Sequence, residues 1–266
     1  MSTIAAQVVS TRRLDLLPLH TDHAEEMATV LSDPAQHHFH RRRVTPPKVC
    51  VVRGLMSAFR EIVGELREFA PWQVQLFATG CAQRLLPLAD ACASERTARL
   101  YVQGLDAAWS AASAAWREEL AGTLDQVPEM SAQSSDEIEY WALRSVLVLT
   151  YSLRADLAGD PAKLGRRACS GALELHEAID DTLTHPEPTG TRTIDPRDMP
   201  SPGPWENREI AAERATLAVL RASTIREAAV AEVHSLSADH ADDLREVIPG
   251  FLRAGAWNDG GTFHNA

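Results

Sequence analysis

From Ser57 onward, apolar side chains recur at intervals of three and four residues, and this period constrains the fold more than any other feature. Side chains at such intervals lie on one face of a helix. The first stripe consists of Phe59, Ile62, Val63, Leu66 and Phe69, and comparable stripes follow along the chain. The pattern predicts an all-α fold, an antiparallel helical bundle of about six to eight helices over residues 57–248.

Capping signals divide this series into separate helices. Pro71 predicts a helix start, because the N–H that proline lacks would be unpaired in the first turn. A third helix is predicted after Ser94, with a stripe that continues to Leu120. Ser134 and Glu137 form a capping box, which predicts a central helix from there through about residue 157.

The sequence Gly159-Asp160-Pro161 predicts an abrupt helix end and restart. It places a glycine after one helix, an aspartate cap before the next and a proline in its first position. So short a connection predicts that the helix over residues 161–184 runs back antiparallel to its predecessor.

The two ends of the chain and one internal segment do not follow the helical period. Residues 1–56 are interpreted as an atypical, partly flexible leader, with a short strand in residues 14–19 and a helix after Thr21. Six prolines in residues 186–204 predict a loop, because proline at this density excludes a regular helix. The glycine-rich residues 249–266 are predicted to be a flexible tail.

Charge and composition exclude several functional classes. The net charge is −11, from 37 acidic and 26 basic residues, and two of the basic residues are lysines, Lys48 and Lys163. This balance argues against nucleic acid as a partner. The chain lacks an apolar run long enough to span a membrane and lacks a secretory signal pattern. Four cysteines without Cys-x-x-Cys spacing predict reduced thiols and a cytoplasmic location.

Common catalytic and cofactor motifs are missing from the sequence. It contains neither Gly-x-Gly nor a P-loop, so dinucleotide and nucleoside triphosphate binding are not expected. His-Glu-x-x-His and Gly-x-Ser-x-Gly are absent as well. We therefore expect no cofactor and favour a protein that is not an enzyme.

One local cluster is a candidate metal site. In the sequence ELHEAIDD, His176 and Asp180 are four residues apart, so a helix would direct both side chains at one ion. A further ligand must come from another helix, and Glu137 or Glu139 are conceivable donors. The alternative is a half-buried histidine beside a solvated acidic face.

Other histidines and the tryptophans are given structural interpretations. His234 and His240 have no partner spacing and are expected at the surface, and the tryptophans are expected in the core. The leader histidines precede the arginine run 41–43, whose charge opposes cation binding, so they indicate a mobile polar segment. These histidines are His20, His23, His37, His38 and His40.

Four segments resemble a known family in order and spacing. They are PWQVQLFATGCAQRLLPL (71–88), LDAAWSAA (105–112), EIEYWALRSVLVLTYSLRADLAGDP (137–161) and WENREIAAERATLAVLR (205–221). Together they resemble the YjaG-like family of all-helical bacterial proteins, over about residues 57–248. The resemblance implies a helical fold and supplies no functional residues.

Residues 11–34 are similar to the first strand and helix of GNAT acetyltransferases. Such an enzyme needs a glycine-rich loop for the cofactor pyrophosphate, and the missing Gly-x-Gly argues against that activity.

Two functional hypotheses follow from the sequence. The first is a non-catalytic cytosolic helical protein that binds a basic protein partner, in an immunity-like or regulatory role, because the excess acidity lies entirely after residue 56. The second is a metal-dependent enzyme built around His176 and Asp180. The oligomeric state is left open.

Overall fold

The computed structural model describes residues 9–11, 14–16, 58–110, 112–135, 137–185 and 201–255. The chain divides into two compact units, Met1–Cys50 with Gly190–Asp198, and Val51–Thr189 with Met199–Ala266. In the first unit, strands β1 (Val9–Thr11) and β2 (Leu14–Leu16) pair antiparallel. β2 covers the first three residues of the strand predicted in residues 14–19. The helix predicted after Thr21 and the leader histidines lie outside the described residues.

The described part of the second unit is helical, which confirms the all-α prediction. Its nine helices, one more than the predicted range allows, are α1 (58–66), α2 (Pro71–Arg84), α3 (Leu86–Cys92), α4 (Glu95–Trp109), α5 (Ala114–Leu124), α6 (Ile138–Arg154), α7 (Pro161–Thr184), α8 (Pro204–Ala222) and α9 (Arg226–Ala254). Short 3-10 turns cover Pro128–Ser131 and Ala155–Leu157.

Helix α2 lies at the centre of the bundle. Every residue from Val74 to Arg84 is buried, and α2 packs against α4, α6, α7, α8 and α9. Small residues allow this close approach: a Cβ atom at Gly80 would lie 3.0 Å from the Ser237 hydroxyl of α9. Because α2 is enclosed on all sides, its polar side chains must find partners within the protein.

Helices α6 and α7 form the antiparallel pair that the sequence predicts. Arg144 pairs with Glu174, and Val148 lies against Gly171, so residue numbers rise along one helix as they fall along the other. The Asp160 carboxylate accepts a hydrogen bond from the Lys163 backbone N–H at 3.1 Å, as expected of an N-cap. Pro161 occupies the first turn.

Two helices break where the sequence pattern continues. The helix that the sequence predicts from Pro71 ends at Arg84, and a new helix starts at Leu86, because Pro87 cannot continue the hydrogen-bond ladder of α2. The third predicted helix is likewise two helices, α4 and α5. The Ser113 hydroxyl caps α5 by accepting from the Trp116 N–H at 3.3 Å, and Trp116 is largely exposed instead of buried.

Three helix boundaries differ from the prediction. α6 begins at Ile138, after a turn in which the Glu137 N–H donates to the Ser134 carbonyl, and not at the predicted capping box. α8 begins at Pro204, inside the segment predicted as a loop. α9 continues through Pro249 to Ala254, so residues 249–254 are not a flexible tail, because Phe251 is fully buried.

A single hydrophobic cluster joins α1 to α9 and contains Cys81, Cys92 and Cys169. Among the described helices, none combines the length and apolar character that a membrane crossing requires.

Candidate metal centre

His176, the histidine singled out in the sequence, lies on α7 and is fully buried. Its Nδ1 atom is 2.8 Å from the backbone oxygen of Ala172, one turn earlier. A carbonyl can only accept a hydrogen bond, so we assign the ring proton to Nδ1 and the lone pair to Nε2. Histidine ligands of metal ions are typically held in this way, with the second ring nitrogen donating to an oxygen.

The Nε2 atom of His176 faces two further buried groups. It lies 3.0 Å from Nε2 of His240, which extends from α9. Both nitrogens lie near the Oε2 atom of Glu209, on α8, at 3.8 Å from His176 and 3.7 Å from His240. We call these three residues the His triad.

The His triad has the dimensions of a metal site. The point equidistant from the three atoms is about 2.0 Å from each, and Zn²⁺ binds nitrogen and oxygen ligands at about 2.0–2.2 Å. Without an ion, the same nitrogens are joined by a hydrogen bond, in which His240 Nε2–H donates to the lone pair of His176. The geometry therefore fits a small transition-metal ion without a large rearrangement of the ligands.

Asp180 does not join His176 at this point. Its carboxylate accepts hydrogen bonds from the backbone N–H groups of Trp205 and Glu206, at distances of 3.0–3.1 Å, and so caps α8. The approach is so close that a Cβ atom at Gly203 would lie 2.2 Å from Asp180 Oδ2. Of the predicted pair, the structure places only His176 in the cluster.

Arg84 binds the other side of the Glu209 carboxylate. Its Nε donates to Oε2 at 2.7 Å and its Nη2 donates to Oε1 at 2.6 Å. The guanidinium also donates to the Ser237 hydroxyl and to the Cys81 sulfur, each at 3.4 Å. Arg84 therefore fixes the orientation of Glu209 and places a positive charge beside the candidate metal position.

A second group of metal-ligating side chains adjoins the first. The thiol of Cys169 donates to Oε2 of Glu213 at 3.2 Å, and the thiol of Cys81 lies 3.8 Å from Oε1. Ligand atoms of Cys81, Glu209 and Glu213 all lie within 4.8 Å of one another. We call these last three residues the Cys triad. It shares Glu209 with the His triad, and all of its members are buried.

The electrostatic environment shifts the pKa values of Glu209 and Glu213 in opposite directions. Burial, the largest single influence, would raise the pKa of Glu209, but the Arg84 guanidinium acts together with His176 and His240 and lowers this pKa to about 2. Burial, reinforced by the charge of Glu209, raises the pKa of Glu213 well above its ordinary value. Glu209 is therefore the anionic carboxylate, whereas the environment of Glu213 favours its protonated form.

Burial also sets the ionisation of the neighbouring groups. It lowers the pKa of His240 to about 4, even though the Glu209 charge acts in the opposite direction. Burial raises the pKa of the Cys81 and Cys169 thiols. At neutral pH, the charges of Arg84 and Glu209 thus offset each other, which is the arrangement that a low-dielectric interior tolerates.

The sequence patterns do not reveal that His240, Glu209, Glu213 or Arg84 belong to this cluster. His240 was expected at the surface, yet it is only 9% exposed. A usable signal is present in α8, where Glu206, Glu209 and Glu213 occupy positions that continue the buried stripe of Leu217. Carboxylates on an apolar face need buried partners, but the sequence does not say which ones.

The remaining predicted candidates lie elsewhere. Glu139 is exposed on the first turn of α6, and Glu137 precedes that helix. His234 is exposed, as expected, and its ring packs edge-on against Trp109. Trp141 and Trp205 are buried in the core, also as expected.

Comparison of the chain with models of protein families, with curated proteins and with solved structures finds no match.

Proposed function

We propose that this protein binds a divalent transition-metal ion, with Zn²⁺ as the best fit, through His176, Glu209 and His240. One observation carries the proposal: three ligand atoms from three helices converge with the spacing of a metal coordination sphere. Two imidazoles and one carboxylate suit zinc-like ions, whereas Mg²⁺ and Ca²⁺ favour oxygen ligands.

The role proposed for the ion is structural. A hydrolytic zinc ion needs an open coordination position that substrate can reach. His176 and Glu209 are fully buried and His240 is nearly so. An ion at this position would join α7, α8 and α9, and its binding energy would add to the stability of the folded state. The sequence hypothesis was a metal-dependent enzyme built around His176 and Asp180. The role proposed here is a structural metal ion held by the His triad.

The test combines metal analysis with matched histidine variants. The purified full chain, stripped with a chelator and then given Zn²⁺, is expected to gain a metal equivalent at the His triad and a higher thermal midpoint. His240→Gln should lose that equivalent, whereas His234→Gln, an exposed histidine on the same helix, should retain it. Equal zinc content in both variants and the wild type would rule out the His triad as the ligand set.

A second candidate function is binding of a basic protein partner, because α9 presents an acidic face to solvent. Its exposed carboxylates are Glu227, Glu232, Asp239, Asp242, Asp243 and Glu246. Such a surface speeds association with a cationic protein and supports an immunity-like or regulatory role. Replacement of Glu232, Asp239 and Glu246 by lysine should abolish salt-sensitive retention of a basic protein from cell extract. Unchanged retention would show that the acidic face of α9 is not the surface that binds the basic protein.

The cellular setting is also a proposal. Cys81, Cys92 and Cys169 are free and buried, which suits a reducing compartment and supports a cytoplasmic location. A relationship to the YjaG-like family is proposed on the four sequence segments alone, and it adds no functional residues to the metal centre.

A further inference from the structure

We propose that the core holds a second cation site, the Cys triad of Cys81, Glu209 and Glu213, and that this site takes a soft, thiophilic ion. The inference goes beyond the His triad, and it rests on the proposed function only in that Glu209 would bridge the two ions. Zn²⁺ and Cd²⁺ are the probes whose chemistry this donor set suits, because thiolates select such ions.

The spacing of the donor atoms supports the site. An ion bound tetrahedrally at about 2.3 Å from sulfur and 2.0 Å from oxygen would hold the two atoms about 3.5 Å apart. The sulfur of Cys81 lies 3.8 Å from Glu213 Oε1, and that of Cys169 lies 3.2 Å from Oε2. Cys169 therefore lies beside the other oxygen of the same carboxylate, where its thiol donates a hydrogen bond that helps to orient Glu213.

The distribution of charge also supports a cation site at the Cys triad. Glu209 is already matched to the Arg84 guanidinium by two hydrogen bonds. The thiolate of Cys81 and the carboxylate of Glu213 then supply two negative charges for one divalent cation. With an ion in the Cys triad alone, the charges of the ion, Arg84, Glu209, Cys81 and Glu213 sum to zero, which a low-dielectric interior favours.

The arrangement of the helices makes the site specific to the folded chain. Cys81 comes from α2, Cys169 from α7, and both glutamates come from α8, one turn apart. All four side chains are buried. Cys92 is buried too but belongs to neither triad, so it provides a matched control for thiol chemistry elsewhere in the core.

The experiment is a Cd²⁺ titration of the reduced, metal-free full chain, followed by metal analysis and by the ultraviolet thiolate-to-cadmium charge-transfer band. We expect two equivalents and a clear band for the wild type and for Cys92→Ser. Cys81→Ser should bind one equivalent and lose most of the band. The double variant His176→Gln/His240→Gln should also bind one equivalent but keep the band.

The outcomes separate the two proposals. One equivalent without a charge-transfer band in the wild type would overturn the Cys triad and leave the His triad standing. A band that is unchanged in Cys81→Ser but lost in Cys92→Ser would also overturn it. If Cys81→Ser fails to fold by circular dichroism, Glu213→Gln provides the second variant, and it should likewise bind one equivalent. Absence of all binding in the folded wild type would refute both sites.

Discussion

Arg84 and Glu209 form a two-point ion pair at the centre of the bundle, with N–O distances of 2.7 and 2.6 Å and side chains that are 1% and 0% exposed. The pair joins α2 to α8. It holds the carboxylate that both triads share, so the orientation of Glu209 depends on Arg84. A metal ion bound at either triad would therefore depend on the same guanidinium that helps to pack the core.

Breaking this pair should strongly destabilise the fold. Arg84→Met leaves the Glu209 charge buried without its partner, and we expect a loss of about 3–5 kcal/mol in urea unfolding of the metal-free protein. Arg208→Met breaks the exposed pair with Asp243 and should cost at most about 1 kcal/mol. Similar losses in the two variants would show that the buried pair is no more important than a surface one.

Gly80 should be required by the packing around Arg84. A Cβ atom there would lie 3.0 Å from Ser237 Oγ and 3.2 Å from Arg84 Nη1, so Gly80→Ala should destabilise the protein by about 1–3 kcal/mol. At Gly122, in α5, a Cβ atom meets no other atom within 4 Å. Gly122→Ala should therefore stabilise the protein by roughly 0.5–1 kcal/mol. Thermal unfolding of the two variants measures this difference in stability. Equal changes in thermal midpoint for Gly80→Ala and Gly122→Ala would contradict the prediction.

His240 should make the metal-free protein less stable in acid. Its pKa of about 4 in the folded state lies below the ordinary value of 6.5, so the unfolded chain binds more protons between these values. Stability should then rise from pH 4 to 6.5, by up to about 3 kcal/mol from this group. His240→Gln should flatten that rise, as measured by urea unfolding across the pH range. The same flattening in His234→Gln would contradict the assignment to His240.

Glu206 should have the opposite pH dependence. Burial, together with the nearby charge of Glu177, raises its pKa to about 7. The folded state therefore binds more protons than the unfolded state between pH 4.5 and 7, and this contribution to stability is lost as the pH rises. Glu206→Gln should raise the thermal midpoint at pH 8 and have little effect at pH 5. A larger gain in the thermal midpoint at pH 5 than at pH 8 would contradict a raised pKa of Glu206 in the folded state.

The two aspartate caps should differ in strength. Asp180 is buried and accepts from two backbone N–H groups of α8, whereas Asp160 is exposed and accepts from one N–H group of α7. Asp160→Ala should cost about 0.5–2 kcal/mol. Asp180→Ala should cost about 2–3 kcal/mol, because bonds from buried donors to a charged group are stronger. Denaturant midpoints of the two variants provide the measurement, and a larger loss in Asp160→Ala would contradict the ranking.

Gly159 illustrates how a correct turn prediction can rest on a different mechanism. The sequence suggested a glycine in a left-handed conformation at the end of a helix. In the structure, α6 ends at Arg154, a 3-10 turn follows, and Gly159 does not have a positive φ. The restart at Asp160 and Pro161 is as predicted, because capping depends on residues adjacent in the chain.

Local periodicity and capping chemistry were enough to determine the helical class and the antiparallel α6–α7 pair. These properties depend on residues within one or two turns of each other, so the sequence by itself contains them. The same patterns misplaced the breaks at Pro87 and Ser113 and the end of α9, where burial of Phe251 outweighs the effect of Pro249.

Only the tertiary structure decided which polar groups meet. His176 and Asp180 share a helix, yet they have different partners: the side chains of His240 and Glu209 for His176, and the backbone at the start of α8 for Asp180. The residues of the centre are up to 159 positions apart, from Cys81 to His240. Such contacts depend on how the helices pack around α2. The spacing of apolar residues along a helix shows that a side chain faces the core, but it does not show which side chains it contacts there.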